Sequence, residues 1–281
     1  MALAFIPSDA AVLALQAGVV VAPRRPPEVR WIRRFSHPAW AVIPIASIVG
    51  VIYMIRFASS SATGITWLAL IAVPILAAGA LGWAARGARP WAAPIAGALF
   101  AVAWAFRSTL WGEGAGALLQ ALSCVTLGVL LAAVTPPVWC KLGLLAMSAA
   151  DVWLVASDLL QAPNSTLVAA APLPGSGLPQ LQSVLFGTVS LGYGDLFVAG
   201  LLGGVLAREC RRQAPMALLT LVLAAMFDLL FLVVSELPAT VPVALALIIG
   251  EAWRRLERRR GRVSGGRLRS RPADATPRPA R

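Results

Sequence analysis

Apolar runs of about twenty residues, each closed by a short polar or arginine-bearing stretch, recur along the whole 281-residue chain. A helix needs about 20 predominantly apolar residues to cross a bilayer. The runs fall at 3–22, 38–55, 65–85, 91–111, 114–134, 137–160, 185–206, 214–234 and 238–253. The pattern therefore predicts an all-α polytopic membrane protein with nine transmembrane helices. The first run is the weakest, interrupted by Ser8, Asp9 and Gln16. No positive charge precedes it, and Arg24 and Arg25 follow it, so it reads as a retained helix rather than a secretory signal. Glycine and proline occur inside several runs, which membrane helices tolerate better than soluble ones. The last run is short and opens at Pro238, so its helix is expected to begin partway into the membrane.

Composition agrees with the pattern. The chain is 59% hydrophobic and only 13% charged, against about a quarter charged in soluble domains. The net charge of +12 would suggest a nucleic-acid partner if it formed a patch, but it does not. Eleven of the 24 basic residues follow Trp253, and most others sit in short connections. All but Lys141 are arginine, which with the abundant Ala and Gly points to a GC-rich bacterial genome. If the connections are numbered alternately, one side collects Arg24, Arg25, Arg30, Arg33, Arg34, Arg86, Arg89, Lys141, Arg208, Arg211, Arg212 and the whole tail. The other side has little beyond Arg56, with Arg107 inside the fourth run. Short cytoplasmic loops carry the Lys/Arg excess, so the N-terminus is expected outside and the C-terminus in the cytoplasm of a bacterial inner membrane. The tail, 254–281, is rich in Arg, Gly, Ser and Pro. It reads as disordered and drawn to anionic lipid head groups, with no aromatic interleaving to suggest nucleic acid.

Cys124, Cys140 and Cys210 are odd in number and widely spaced, and His37 is the only histidine. Neither a disulfide framework nor a metal site follows, and no cofactor is implied. The longest connection on the outer side, 161–182, has no charge and four prolines, Pro163, Pro172, Pro174 and Pro179. Its apolar segment from Thr166 to Ala171 reads either as a loop on the bilayer surface or as a flap beside a site. Asn164-Ser165-Thr166 is a formal glycosylation sequon, pressed against a helix end.

The chemistry lies in the acids. Asp9 and Glu251 fall near span ends, whereas Asp151, Asp158, Asp195 and Asp228 fall deeper. A carboxylate at the bilayer centre costs at least about 2.5–3.5 kcal/mol on insertion scales. Two close carboxyls cannot both ionise comfortably, so one keeps its proton. The ionised member can then take a proton from water while the other donates to a carbonyl oxygen. Spans six and seven are antiparallel neighbours, and Asp151 and Asp195 each lie about nine or ten residues from the outer end, which at about 1.5 Å per residue is one level. Asp158 shares a face with Asp151 but lies about 10 Å nearer the outer surface. It suits the water path, as an accessory residue. Asp228 reads as a helix-packing hydrogen bond. The alternative for the Asp151–Asp195 pair is an ion or proton pathway.

Three segments resemble one family. Leu191-Gly192-Tyr193-Gly194-Asp195, followed by Leu-Phe-Val-Ala-Gly200 and Arg208, is similar to the GxGD segment of presenilins and signal peptide peptidases. Ala150-Asp151-Val-Trp-Leu-Val resembles their preceding Tyr-Asp helix. Leu237-Pro238-Ala239-Thr240 with Pro242 resembles their PAL motif. The motifs stand in family order on spans six, seven and nine. The resemblance covers residues 137–253, while the first five spans match only in number and hydrophobicity. The orientation is similar to that of signal peptide peptidases and opposite to that of presenilins. The resemblance implies a bacterial or archaeal intramembrane aspartyl protease that hydrolyses peptide bonds within transmembrane helices of other proteins, with Asp151 and Asp195 catalytic. Ala150 and Thr240 stand where the family has Tyr and Leu, which leaves an inactive relative as an alternative.

In this reading the chain divides into an N-terminal membrane bundle (1–136), a catalytic region (137–253) and the basic tail. Gly192 and Gly194 let neighbouring backbone come close, having no Cβ. Pro238 exposes unpaired backbone that an unwound substrate could join as a strand. Tyr193, Ala239 and Thr240 complete the positioning segments. Three rivals remain. Ser190-Leu-Gly-Tyr-Gly-Asp195 is close to a potassium-channel filter, but only twelve residues separate Asp195 from Arg208, too few for an inner helix. A prepilin-peptidase-like enzyme would carry a Lys-containing segment at Leu196–Val198. A transporter would use the acids as a proton relay.

Overall fold

In the computed structural model of the protein, the residues described are 2–25, 38–42, 46, 50, 59–157, 165–166, 169–170, 177–187, 189–232 and 238–268. Eight helices and one hairpin organise them: α1 (Ala2–Val21), α2 (Ser59–Gly79), α3 (Ile95–Ala105), α4 (Leu110–Val134), α5 (Pro137–Ala156), β1 (Ser183–Phe186), β2 (Val189–Gly192), α6 (Tyr193–Leu206), α7 (Cys210–Asp228) and α8 (Val241–Leu268). The run expected at 38–55 lies largely outside the described residues, as does Asp158. Among the described residues three helices are long and apolar enough to cross a membrane: α2 with its π-helical extension to Ala84, then α4 and α5. The nine expected spans are not met as nine such helices. The fourth is shortened to α3, of 11 residues, and the seventh to α6, of 14.

The clearest departure from the expected helices is at 185–192. An apolar run of this length cannot be assigned to helix or strand by periodicity, and here its first half pairs as an antiparallel hairpin. Ser183 faces Gly192 and Phe186 faces Val189 across it. Gly187 turns the chain at φ 60°, a conformation that favours glycine. The all-α expectation therefore holds for the bulk of the chain and fails here, where the hairpin's ladder satisfies backbone groups that a helix would have paired internally.

Helix α6 lies at the centre. Leu196 and every residue from Val198 to Val205 are buried, among α1, α4, α5, α7 and α8. It crosses α4 at backbone distance. A Cβ on Gly200 would lie 2.4 Å from the Cys124 carbonyl oxygen, one on Gly204 2.3 Å from that of Gly128, and one on Gly128 2.1 Å from that of Gly200. Gly203 does the same against α1, where a Cβ would sit 2.6 Å from the Val20 oxygen. Small residues four apart are how membrane helices gain close packing without a hydrophobic driving force. Helices α1 and α4 thus pack directly on α6 although they precede the expected boundary at 136/137.

Thr109 starts α4 by accepting the Gly112 N–H, and Thr126 ties α4 to α2 through the Leu76 carbonyl at 2.7 Å. At the end of α1, Gln213 of α7 is fully buried and donates to the carbonyls of Pro23 at 2.9 Å and Gly203 at 3.1 Å, while its own oxygen accepts from Arg86. Ion pairs link the arginine-rich ends of α5, α7 and α8: Lys141–Glu251 at 2.5 Å, Arg254–Glu251 at 3.4 Å, Arg254–Glu209 at 2.7 Å, and Arg212 with both Glu209 and Glu257. These pairs are partly exposed, a setting in which each contributes about 0–1 kcal/mol. With them α8 continues well past Trp253 to Leu268, so the first part of the tail expected to be disordered is helical. Exposed tryptophans ring both ends of the bundle, Trp91, Trp139 and Trp253 at the arginine-rich end and Trp104, Trp111 and Trp153 at the other, which fits the aromatic belts of a membrane protein.

Candidate functional site

Asp151 sits in the last two turns of α5 and Asp195 in the first turn of α6. The latter is a correction, because Asp195 was expected in mid-helix. Its carboxylate folds back to accept the Gly192 N–H at 3.1 Å. Gly192 has no side chain with which to return the contact, so only one half of a capping arrangement forms. An acid in a first helical turn also lies at the positive end of the helix dipole. Asp151 and Asp195 stand on helices that pack against each other, α5 and α6. A hairpin rather than a helix leads into Asp195.

The third motif arrives through Thr240. Its hydroxyl donates to the Asp151 carboxylate at 2.6 Å. The Thr240 carbonyl in turn accepts from Ser148 at 3.2 Å, one turn before Asp151. The substitution that departs from the PAL pattern is thus the one that touches an acid. Leucine could not make this bond.

Two expected roles are corrected. The carbonyls of the Pro238 segment are not unpaired. Pro238 accepts from the Val241 N–H at 3.2 Å, Ala239 from the Gln16 side chain at 3.2 Å, and Thr240 also from the Ala244 N–H at 3.1 Å. Close backbone approach is likewise not at Gly192 and Gly194. A Cβ on Gly194 would meet nothing within 4 Å, and one on Gly192 would meet the Asp195 carboxylate at 2.9 Å. The glycines that admit backbone are Gly200, Gly203 and Gly204, one to three turns further on.

Tyr193 points into the bundle. Its hydroxyl pairs with Ser123 at 2.8 Å, and its carbonyl faces the Cys124 thiol at 3.9 Å. Arg208, at the far end of the helix, donates to the Ala132 carbonyl at 2.8 Å and closes the C-terminus of α4. Asp228 does not join the pair. It ends α7, and its Oδ2 is buried without a hydrogen-bond partner among the described residues, so the packing bond expected of it is not seen. The loop at 161–182 is described only in part. Its end is anchored, with Leu181 buried against Leu70 and Leu119, and its middle lies outside the described residues. Among the described residues no group of three or more His, Cys, Asp or Glu is placed to hold a metal.

Sequence reasoning missed Gln16, Ser148, Ser123 and Gln120. Each is a polar residue inside an apolar run, and that was the available signal. Gln16 is buried and reaches from α1 to the Ala239 carbonyl, which makes the weakest predicted span a support of the site. Neither protein-family models nor curated proteins nor solved structures match the chain.

Proposed function

We propose that the chain is an intramembrane aspartyl protease, similar in design to presenilins and signal peptide peptidases. The observation that carries this reading is that the Thr240 hydroxyl bonds Asp151 where α5 and α8 pack on each other and on α6, the helix that Asp195 opens. Water held between the carboxyls loses a proton to the ionised one as its oxygen bonds to the substrate carbonyl carbon, and the protonated one donates to the carbonyl oxygen. Return of that proton accompanies cleavage of the C–N bond, and the departing amine takes the proton first removed from water. Both carboxyls end as they began, with no cofactor required.

Three features support the reading further. Thr240 fixes one oxygen of Asp151. The hairpin leads straight into Asp195, and β2, with Ser190 and Gly192 exposed, offers a strand edge to an unwound substrate helix. Tyr193, Gly194 and Asp195 are helical, with the Tyr193 carbonyl turned toward Cys124, unlike the extended carbonyl column of an ion filter. In the bilayer α1 to α8 form the membrane bundle, the hairpin and α6 together making one crossing. The N-terminus is outside and the arginine-rich end is cytoplasmic, where the tail meets anionic lipid. Substrates are the membrane helices of other proteins.

The test is cleavage of membrane-helix reporters in proteoliposomes. General acid–base groups contribute about 10²- to 10⁴-fold, so Asp151→Asn and Asp195→Asn should each lower the rate by at least about 100-fold at unchanged expression. Full activity in either variant refutes the reading.

A further inference from the structure

Among the described residues, three side-chain hydrogen bonds join α5 to α8 and the turn before it. At one end Ser148 donates to the Thr240 carbonyl at 3.2 Å, and the Thr240 hydroxyl donates to Asp151 at 2.6 Å. At the other, arginine-rich end, Lys141 donates to the Glu251 carboxylate at 2.5 Å. Asp151 lies ten residues after Lys141, and Glu251 lies eleven after Thr240. At about 1.5 Å per residue, both intervals are about 15–17 Å. The two helices therefore run antiparallel and are bonded at both ends of one shared interval.

The charged end reaches further. Arg254, one turn past Glu251, pairs with Glu251 at 3.4 Å and with Glu209 at 2.7 Å. Glu209 lies three residues beyond the end of α6, the helix that Asp195 opens. A run of alternating charges, Lys141, Glu251, Arg254 and Glu209, thus ties together the far ends of the elements that carry Asp151, Thr240 and Asp195.

Position along the axis is what such a run can set. The buried residues at the start of α8 are Pro242, Val243, Ala244, Ala246 and Leu247, whose side chains form no hydrogen bonds. Apolar burial is non-directional, and lipid removes most of the hydrophobic drive between helices. Charge pairs contribute little net stability in a partly exposed setting, but complementary charges fix register. The side chains of Lys141 and Glu251 are 20% and 28% exposed, shielded enough to be screened less by salt than fully exposed pairs. A slide of α8 by one residue's rise, about 1.5 Å, would take the Thr240 hydroxyl off Asp151, since a hydrogen bond holds only over a few tenths of an ångström.

We propose that Lys141, Glu251, Arg254 and Glu209 form an ionic clasp of positioning residues that sets the axial register of α8 and so keeps Thr240 on Asp151. Its effect on catalysis rests on the proteolytic reading; its effect on register does not.

The experiment uses the full chain in phosphatidylethanolamine–phosphatidylglycerol liposomes, with membrane-helix reporters. A misplacement of about 1 Å far from the chemistry can cost about 100-fold. Lys141→Met and Glu251→Gln should each lower kcat by about 10-fold, with KM and unfolding temperature unchanged. Lys141→Arg keeps the charge and should restore most of the rate. In a Thr240→Val background the same two changes should have no further effect, because the bond through which they act is already gone. Arg211→Gln, exposed at the same end and outside the clasp, should match wild type. Full activity in both clasp variants, or a loss that persists in the Thr240→Val background, overturns the clasp. The protease reading survives that result if Asp195→Asn abolishes cleavage.

If the wild type cleaves no reporter, the protease reading fails and distance decides the clasp. Spin labels at Ala156→Cys and Ile248→Cys, both exposed and in a Cys210→Ser background, stand about 20 Å apart along the axis. Lys141→Met and Glu251→Gln should shift or broaden that distance by about one residue's rise or more, and Lys141→Arg should not. An unchanged distribution in both refutes the proposal.

Discussion

From Val198 to Val205 helix α6 is buried throughout and meets α4 and α1 backbone to backbone, through Gly200, Gly203 and Gly204. From Gly192 to Asp195 it is half exposed and is held by side-chain hydrogen bonds, from Tyr193 to Ser123 and from Asp195 back to Gly192. The difference shows how one helix can anchor a site and still leave it open. Backbone contact at van der Waals distance admits no alternative register, because side chains of any size would clash. The first turn needs room for a carboxylate and for whatever approaches it, so Gly194 faces open space while Tyr193 packs inward and directional bonds fix the rest. Asp151 follows the same logic on the facing helix, where Thr240, its own carbonyl held by Ser148, bonds it from one side.

The sharpest way to break this contrast is to put a side chain where backbone meets backbone. Gly204→Val would place its Cβ 2.3 Å from the Gly128 carbonyl oxygen, and neither main chain can retreat without moving a helix. Overpacking of this kind costs about 1–3 kcal/mol or more. Thermal unfolding in detergent should show a large loss of stability, with activity falling only as folded protein is lost. A Gly204→Val protein as stable as wild type would mean that α4 and α6 do not cross here.

The next largest effect belongs to the polar end. Thr240→Val keeps shape but removes the hydroxyl from Asp151, and hydrogen bonds to charged groups are worth about 1.5–3 kcal/mol. Reporter cleavage should fall by about 10- to 100-fold with little change in unfolding temperature, and Thr240→Ser should restore most of it. Equal activity in the Val and Ser variants would show that the hydroxyl does not act on the acid. Tyr193→Phe breaks the bond to Ser123 and should lower stability by about 1 kcal/mol, measured by the same unfolding experiment. The smallest effect sharpens the comparison by inversion. Gly194→Ala faces open space, and alanine is preferred to glycine within a helix by about 0.5–1 kcal/mol. It should leave stability unchanged or raise it slightly, whereas Gly204, ten residues further on, tolerates nothing.

Much of the scaffold was legible along the chain. The runs at 65–85, 114–134 and 137–160 correspond to α2, α4 and α5, because a long apolar helix announces itself by composition alone. The depth expected of Asp195 was counted along a helix from 185, and that count does not apply where the chain runs as a hairpin. The hairpin was not legible. Ser183 to Gly192 is apolar and short, and length and periodicity do not separate a buried strand from a buried helix. The glycines that seat α6 were visible as residues, but their partners Gly128 and Val20 are distant in sequence.

The sequence by itself determined where apolar helices form, where the arginines gather and which acids stand in apolar surroundings. Those properties belong to single residues and their near neighbours, through hydropathy, charge and helical rise. Only the tertiary structure decided that Thr240 touches Asp151, that Gln16 of the first helix supports Ala239, and that Gln120 of α4 holds the Ser183 carbonyl of β1. Each of these joins residues on different elements. A hydrogen bond is settled within a few tenths of an ångström, a precision fixed by how whole helices pack and one that no pattern along the chain encodes.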